Sequence, residues 1–345
     1  MGTVLSEYLR TQRVSVAGEL SSSHNVNKGT PQGSRISPIL FLVLMSDLNL
    51  HVKTGLLTNF ADDTQLTIIE DSEEKTRKAT KEEAERIISF FQTVQLKNNP
   101  DKAAILYNSN GKEKKLKMEV AGETLETSNS EKLLGLTINP DLNWSTHVDK
   151  LCTALKQRLG LLRRIKNKIN SHKLKIVAEA IFSSKMRYGM SVFTIPKFEF
   201  NNLEQTMDPN ISKLQVIQND MIRLLIGKNR KSQTNMEKTR HKLKIMSVNQ
   251  LSCYHVAIEM FNIINNMSSE TLHEEMKMVS TGYNLRGLEE GKVKVPEKGK
   301  KSCNGFHYIG PKLWNFLPGH IRKTTIKNIF KAKLKDFIWE NIPSV

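Results

Sequence analysis

The chain has 345 residues, 38% hydrophobic and 25% charged, enough apolar material for two or three modest cores. Its longest apolar run, "ILFLVLM" at 39–45, is far short of the ~20 residues of a membrane-spanning helix, and no apolar leader follows Met1, so neither a helical membrane protein nor a secreted one is expected. Formal charge is +17 and uneven: residues 1–145 hold 17 basic against 19 acidic side chains, residues 146–345 hold 35 against 16. Two readings of that excess compete, a solvated surface and a surface that holds a polyanion. Cys152, Cys253 and Cys303 are scattered with no CxxC spacing, which points to a reducing, intracellular compartment and away from a zinc site.

In chain order, "RVSVAGEL" at 13–20 alternates and predicts a strand in an otherwise polar start. "GTPQGS" at 29–34 is a loop by its Gly and Pro content. Ser37-Pro38 predicts a helix start, serine as N-cap and proline at the first position, running to about Leu50; apolar on most faces, it is expected to be buried. "LLTNFADDTQLTIIE" at 56–70 reads as a β-hairpin with Asp62 and Asp63 at its tip. "DSEEKTRKATKEEAERIISFFQTVQL" reads as an amphipathic helix with acids in its first turn. Short strands are predicted at "AAILY", "KLKMEV" and "KLLGLTI", with Asn110-Gly111 as a hairpin signal. Strands, helices and hairpins in this order define an α+β module closing near residue 140.

The period then becomes helical. Val148, Leu151, Leu155, Leu159, Leu162, Ile165 and Ile169 recur at three- and four-residue spacing, with Arg158, Arg163, Arg164, Lys166 and Lys168 on other faces. Further helices are expected at 172–187, 212–226 and 248–267, the last opened by a Ser247/Gln250 capping box. Residues 268–305 read as a polar linker. The aromatic-rich segment 306–345 reads as a small closing unit anchored on the preceding helices. His147, His172 and His241 lack ligand-like spacing and read as surface or half-buried histidines.

For Asp62-Asp63 two explanations are open: ordinary turn chemistry, or a site for a divalent cation that neutralises adjacent like charges. The wider pattern bears on the choice. "GTPQGSRISPILFLVLMSDL", "FADDTQL", "LKNNPDKAAIL" and "EKLLGLTI" resemble, in order and spacing, the palm motifs of reverse transcriptases from retrotransposons lacking long terminal repeats. The resemblance covers residues 5–140 and continues more loosely through a thumb-like helical region to the tail "GPKLWNFLP".

It implies an RNA-directed DNA polymerase using Mg²⁺, or Mn²⁺ in its place, with an RNA template, a DNA primer and deoxynucleoside triphosphates as partners, no membrane, and the nucleus as expected location. Asp62 and Asp63 match the catalytic, metal-binding pair, the first being the stronger ligand. Pro31, Gln32 and Gly33 match the loop against the incoming nucleotide and templating base, where Gly33 lets backbone approach closely. Lys102 matches a lysine near the nucleotide phosphates. Arg158, Arg163, Arg164, Lys166 and Lys168 would grip nucleic-acid backbone, as a thumb does. The expected layout is a partial palm over 1–140, a thumb over 141–230, a helical region over 231–267, the linker over 268–305 and the closing unit over 306–345.

There are departures too. The family's third carboxylate lies upstream of the PQG loop, whereas here Glu7 and Glu19 are the only acids before Asp47. The chain therefore reads as the back two-thirds of a polymerase, inactive alone. The alternative is a non-catalytic nucleic-acid-binding remnant.

Overall fold

The computed structural model describes residues 10–26, 29, 33–97, 99, 102–109, 112–113, 116–120, 122–198, 207–229, 233–276, 291–296 and 305–342. The chain divides into two compact units, Met1–Asn129 and Ser130–Val345. Helices combine with two-stranded antiparallel sheets, so the α+β class stands.

In the first unit, β1 (Arg10–Gln12) pairs with β4 (His24–Val26), and between them β2 (Ser15–Val16) pairs with β3 (Glu19–Leu20). The single strand expected over 13–20 is thus a tight hairpin. Ala17 and Gly18 both take positive φ (52° and 90°), as a two-residue hairpin turn requires. Helix α1 (Ser37–Ser46) continues as a 3₁₀ turn, Asp47–Leu50. Ser37 is its first helical residue and Ile36 the cap, so the predicted serine cap is displaced by one position.

The expectation that this helix is buried fails. Met45 and Leu48 are buried, whereas Ile39 and Leu42 are 60% and 58% exposed and Val43 is exposed as well. Among the described residues, one face packs on a partner. Met45 and Leu48 pack with Ile87 and Phe90 of α2 (Glu73–Thr93), flanked by Leu57 and Leu66. The α2 start is as expected, with Ser72 accepting from the Lys75 N–H and Glu73 and Glu74 in the first turn.

Strand β5 (Leu56–Phe60) pairs with β6 (Asp63–Thr67), β7 (Asn108–Ser109) with β8 (Lys112–Glu113), and β9 (Lys117–Val120) with β10 (Glu123–Glu126). The predicted turn Asn110-Gly111 lies outside the described residues. "AAILY" is no strand; Ile105 makes an isolated bridge to Thr127.

The second unit opens with β11 (Glu131–Leu133) and β12 (Leu136–Ile138), turned at Leu134 (φ 46°) and Gly135 (φ 84°), where one strand was expected. Helix α3 (Ser145–Ile165) buries Val148, Leu151, Leu155, Leu159 and Leu162 as the spacing predicts; Ile169 lies beyond its end. The predicted 172–187 helix is α4 (Ser171–Ala178), a π turn (Glu179–Ser183) and α5 (Ser184–Arg187). Then come α6 (Met190–Phe193), α7 (Pro209–Leu225), α8 (Met236–Leu243) and α9 (Val248–Ile264). The capping box at Ser247 and Gln250 forms. The described chain ends with α10 (Glu270–Glu275), α11 (Phe306–Phe316), α12 (Gly319–Arg322) and α13 (Lys327–Asn341).

One core unites these helices. Phe330 of α13 stacks on Phe261 of α9 at 4.4 Å and lies 5.8 Å from Trp314 of α11. Gly310 permits the close approach of α11 to α9: a Cβ there would meet Met260 Sδ at 2.7 Å. The closing aromatics therefore anchor on the preceding helices. His147 departs from expectation. It is buried, and its Nδ1 accepts from the Thr137 N–H at 3.1 Å, because α3 carries it under β12. Cys152 and Cys253 are buried free thiols. No helix among the described residues is long and apolar enough to cross a membrane.

Candidate active-site hairpin and basic surface

The β5–β6 register pairs Phe60 with Asp63, so the turn is Ala61-Asp62. Strand alternation puts Leu57, Asn59, Thr64 and Leu66 on the half-buried face, and Leu56, Thr58, Phe60 and Asp63 on the exposed one. Both carboxylates are exposed, at the apex and at its first paired residue. Ala61 holds φ 55°, a left-handed conformation that costs a residue with a Cβ roughly 1–2 kcal/mol. Behind the carboxylates, the cross-strand pair Asn59 and Thr64 bury Oδ1 and Oγ1 without a hydrogen-bond partner among the described residues.

The hairpin is anchored at its base. Gly55 (φ +97°) admits no side chain: a Cβ would lie 2.5 Å from Ile68 Cδ1 and 2.7 Å from the Thr67 carbonyl oxygen. Just before it, the fully buried Glu83 of α2 accepts from the Lys53 N–H at 3.1 Å, the Thr54 N–H at 2.8 Å and the Thr54 hydroxyl at 2.7 Å. Arg86 adds an ion pair. Burial alone would raise the Glu83 pKa, but the Thr54 hydroxyl, the two backbone donors and the Arg86 charge outweigh it, and the carboxyl lies below its ordinary range. Sequence reasoning missed Glu83. Its signal is an acid at i, with Ile87 at i+4 and Phe90 at i+7, on the stripe that α2 buries.

Of the other positions matched to the family, Gly33 is exposed at φ +84°, with no atom within 4 Å of where a Cβ would stand. Pro31 and Gln32 lie outside the described residues. Lys102 is exposed, its N–H donating to the Asn99 carbonyl at 3.1 Å. Among the described residues, no three or more His, Cys, Asp or Glu side chains gather as a metal-binding cluster. Asp62 and Asp63 are two exposed carboxylates side by side, oxygen donors of the type that hard divalent cations take.

In the second unit, the five predicted backbone-gripping cations separate. Arg158 is half-buried and donates through Nη1 to the Ile181 carbonyl. Arg163 and Lys166, three residues apart, border a cleft of about 230 Å³ with Asp220, Arg223, Leu224, Lys228 and Asn229. Arg164 and Lys168 are exposed and do not line it. Arg223 and Lys228 were not foreseen.

The hairpin apex bearing adjacent carboxylates lies within a segment that sequence comparison matches to a known family. Residues 2–138 match the family described as reverse transcriptase (RNA-dependent DNA polymerase). The chain is similar to two proteins of Drosophila melanogaster, the probable RNA-directed DNA polymerase from transposon X-element and the RNA-directed DNA polymerase from mobile element jockey. The first is 25% identical over 235 residues, which is 65% of this chain and 25% of the relative. The second is 23% identical over 228 residues, 63% of this chain and 24% of the relative. A third relative, the probable RNA-directed DNA polymerase from transposon BS of the same fly, is 25% identical over 240 residues, 64% of this chain and 25% of the relative. The chain thus spans about a quarter of the length of these relatives. No solved structure matches it. The resemblance read from the four motifs, to reverse transcriptases of retrotransposons lacking long terminal repeats, stands.

Proposed function

We propose that the chain is the palm-and-thumb portion of an RNA-directed DNA polymerase, with the palm within residues 1–140 and the thumb within 141–230. Asp62 and Asp63 would hold Mg²⁺ or Mn²⁺, which when bound stabilises the attacking and leaving oxygens of nucleotidyl transfer. The observation that carries this reading is the carboxylate pair on an anchored hairpin apex, inside a segment that matches the family. By the match to the family, Pro31, Gln32 and Gly33 would contact the nascent base pair, Lys102 the nucleotide phosphates, and the basic helices the template–primer backbone. RNA template, DNA primer and deoxynucleoside triphosphates are the substrates.

Ligand counting limits what this polypeptide does alone. Two carboxylates on one turn leave most of an octahedron to water, and they do not fix primer hydroxyl and α-phosphate against each other. Residues 1–345 are therefore expected to extend no primer with Mg²⁺ or Mn²⁺. Fusion to a polymerase segment chosen to supply the further carboxylate that the family resemblance implies is expected to give extension, and Asp62→Ala in the fusion to abolish it. Extension by residues 1–345 alone that Asp62→Ala removes would overturn the ligand count. A fusion indifferent to Asp62→Ala would overturn the site. A fusion that binds template–primer yet never extends favours the second reading, a nucleic-acid-binding remnant, for which the +17 charge speaks.

A further inference from the structure

The cleft beside α3 is built by two helix ends. Helix α7 stops in a Schellman turn: Gly227, at φ 71°, donates to the Leu224 carbonyl at 3.2 Å, and the Lys228 N–H reaches back to the Arg223 carbonyl at 2.9 Å. That turn folds Lys228 and Asn229 over the end of α7, toward Arg163 and Lys166 at the end of α3. Arg223 lines the same cleft. One of its guanidinium nitrogens, Nη1, pairs with Asp220 at 3.1 Å, while Nε is buried with no partner among the described residues.

Cations at helix C-termini ordinarily serve the dipole and the last carbonyls. Here several of those carbonyls are already bonded: Ile222, Arg223 and Leu224 of α7 by the turn, and Leu162 and Ile165 of α3 by the N–H groups of Lys166 and Lys168. Four cations against one carboxylate, around about 230 Å³, leave a surplus of positive charge. The cavity is smaller than the ~300–1,000 Å³ of sites for drug-sized ligands. Its cationic lining makes it a space for an anion.

We infer that the cleft walled by Arg163, Lys166, Arg223 and Lys228 seats a single phosphodiester group of bound nucleic acid, the neighbouring Arg164 and Lys168 contacting other phosphates. This rests on the reading of the second unit as a nucleic-acid-binding surface and assigns that surface a discrete socket. The guanidinium of Arg223, prepositioned by Asp220, offers the phosphate a directed donor, whereas Lys166 and Lys228 supply charge.

The test is the salt dependence of binding to a fluorescent DNA duplex by the full 345-residue chain. The double substitutions Arg163→Gln/Lys166→Gln and Arg223→Gln/Lys228→Gln are each expected to flatten log K against log[salt] by up to about 0.9, the value for one lost phosphate. All four together are expected to flatten it by no more than that, since the contact is shared. Arg164→Gln/Lys168→Gln is expected to act additively with any of them. A quadruple effect near the sum of four independent contacts, about 3.6, would overturn the socket in favour of a diffuse surface. So would an unchanged affinity for Arg223→Gln/Lys228→Gln while Arg164→Gln/Lys168→Gln weakens binding, an outcome that spares the nucleic-acid reading. Unchanged binding in every variant overturns both. Where Arg223→Gln compromises folding, the single Lys228→Gln on the exposed turn carries the same test.

Discussion

The two units divide the work of folding and display unequally. Among the described residues, unit 1 buries seven apolar side chains and leaves eleven large ones exposed; unit 2 buries forty and also leaves eleven exposed. Charge divides differently. Residues 1–129 hold 16 basic and 17 acidic side chains, residues 130–345 hold 36 and 18. Unit 2 thus has a large core that carries a basic exterior, with stability and charge on separate faces of the same helices. Unit 1 holds its carboxylate hairpin with a four-residue core, one buried glutamate and one obligatory glycine. Where the core is large, position comes from packing; where it is small, a few directed hydrogen bonds do it.

That contrast can be broken by truncation in the large core. Phe330, fully buried between Phe261 and Trp314, is expected to cost about 3–5 kcal/mol on change to alanine. Denaturant unfolding followed by tryptophan fluorescence measures it, and a loss below about 1 kcal/mol would mean that the core tolerates a cavity it should not.

The hairpin clamp is the next test. Glu83→Ala leaves the Lys53 and Thr54 N–H groups without their acceptor, at about 0.5–1.5 kcal/mol for each hydrogen bond lost. Amides of residues 56–67 are expected to lose hydrogen-exchange protection while those of α13 keep theirs. The wild type should show the same local loosening in acid. The Glu83 pKa is depressed, so the clamp is complete above the ordinary carboxylate value of 4.5 and is lost as pH falls beneath it. Uniform loss of protection in both units would refute a local role.

The smallest effect is expected on α1. Ile39→Lys and Leu42→Lys on its exposed face should change stability by no more than about 0.5 kcal/mol. A loss above 2 kcal/mol would show that this face is packed in solution, and the contrast between the units would weaken.

Much of the local architecture was legible beforehand. The stripe from Val148 to Leu162, the acidic start of α2, the Ser247/Gln250 box and the hairpin at 56–67 all follow from patterns that close within one or two turns or one strand pair. The strands expected at 13–20 and 132–138 erred in a common way. Alternation was visible, but Ala17-Gly18 and Leu134-Gly135 fold each run back on itself, and only Gly18 and Gly135 marked it.

The sequence by itself determined the adjacency of Asp62 and Asp63, since neighbouring residues at a turn need no fold to meet, and it carried the likeness to reverse transcriptases through four motifs in order. Tertiary structure decided everything that depends on distant partners. Glu83 reaches Thr54 across 29 positions, Arg163 and Lys166 meet Arg223 and Lys228 across about sixty, His147 is buried, and α1 is half bare. The reason is physical: periodicity and turn chemistry are properties of a few consecutive residues, whereas burial and the pairing of charges are set by which elements pack against each other.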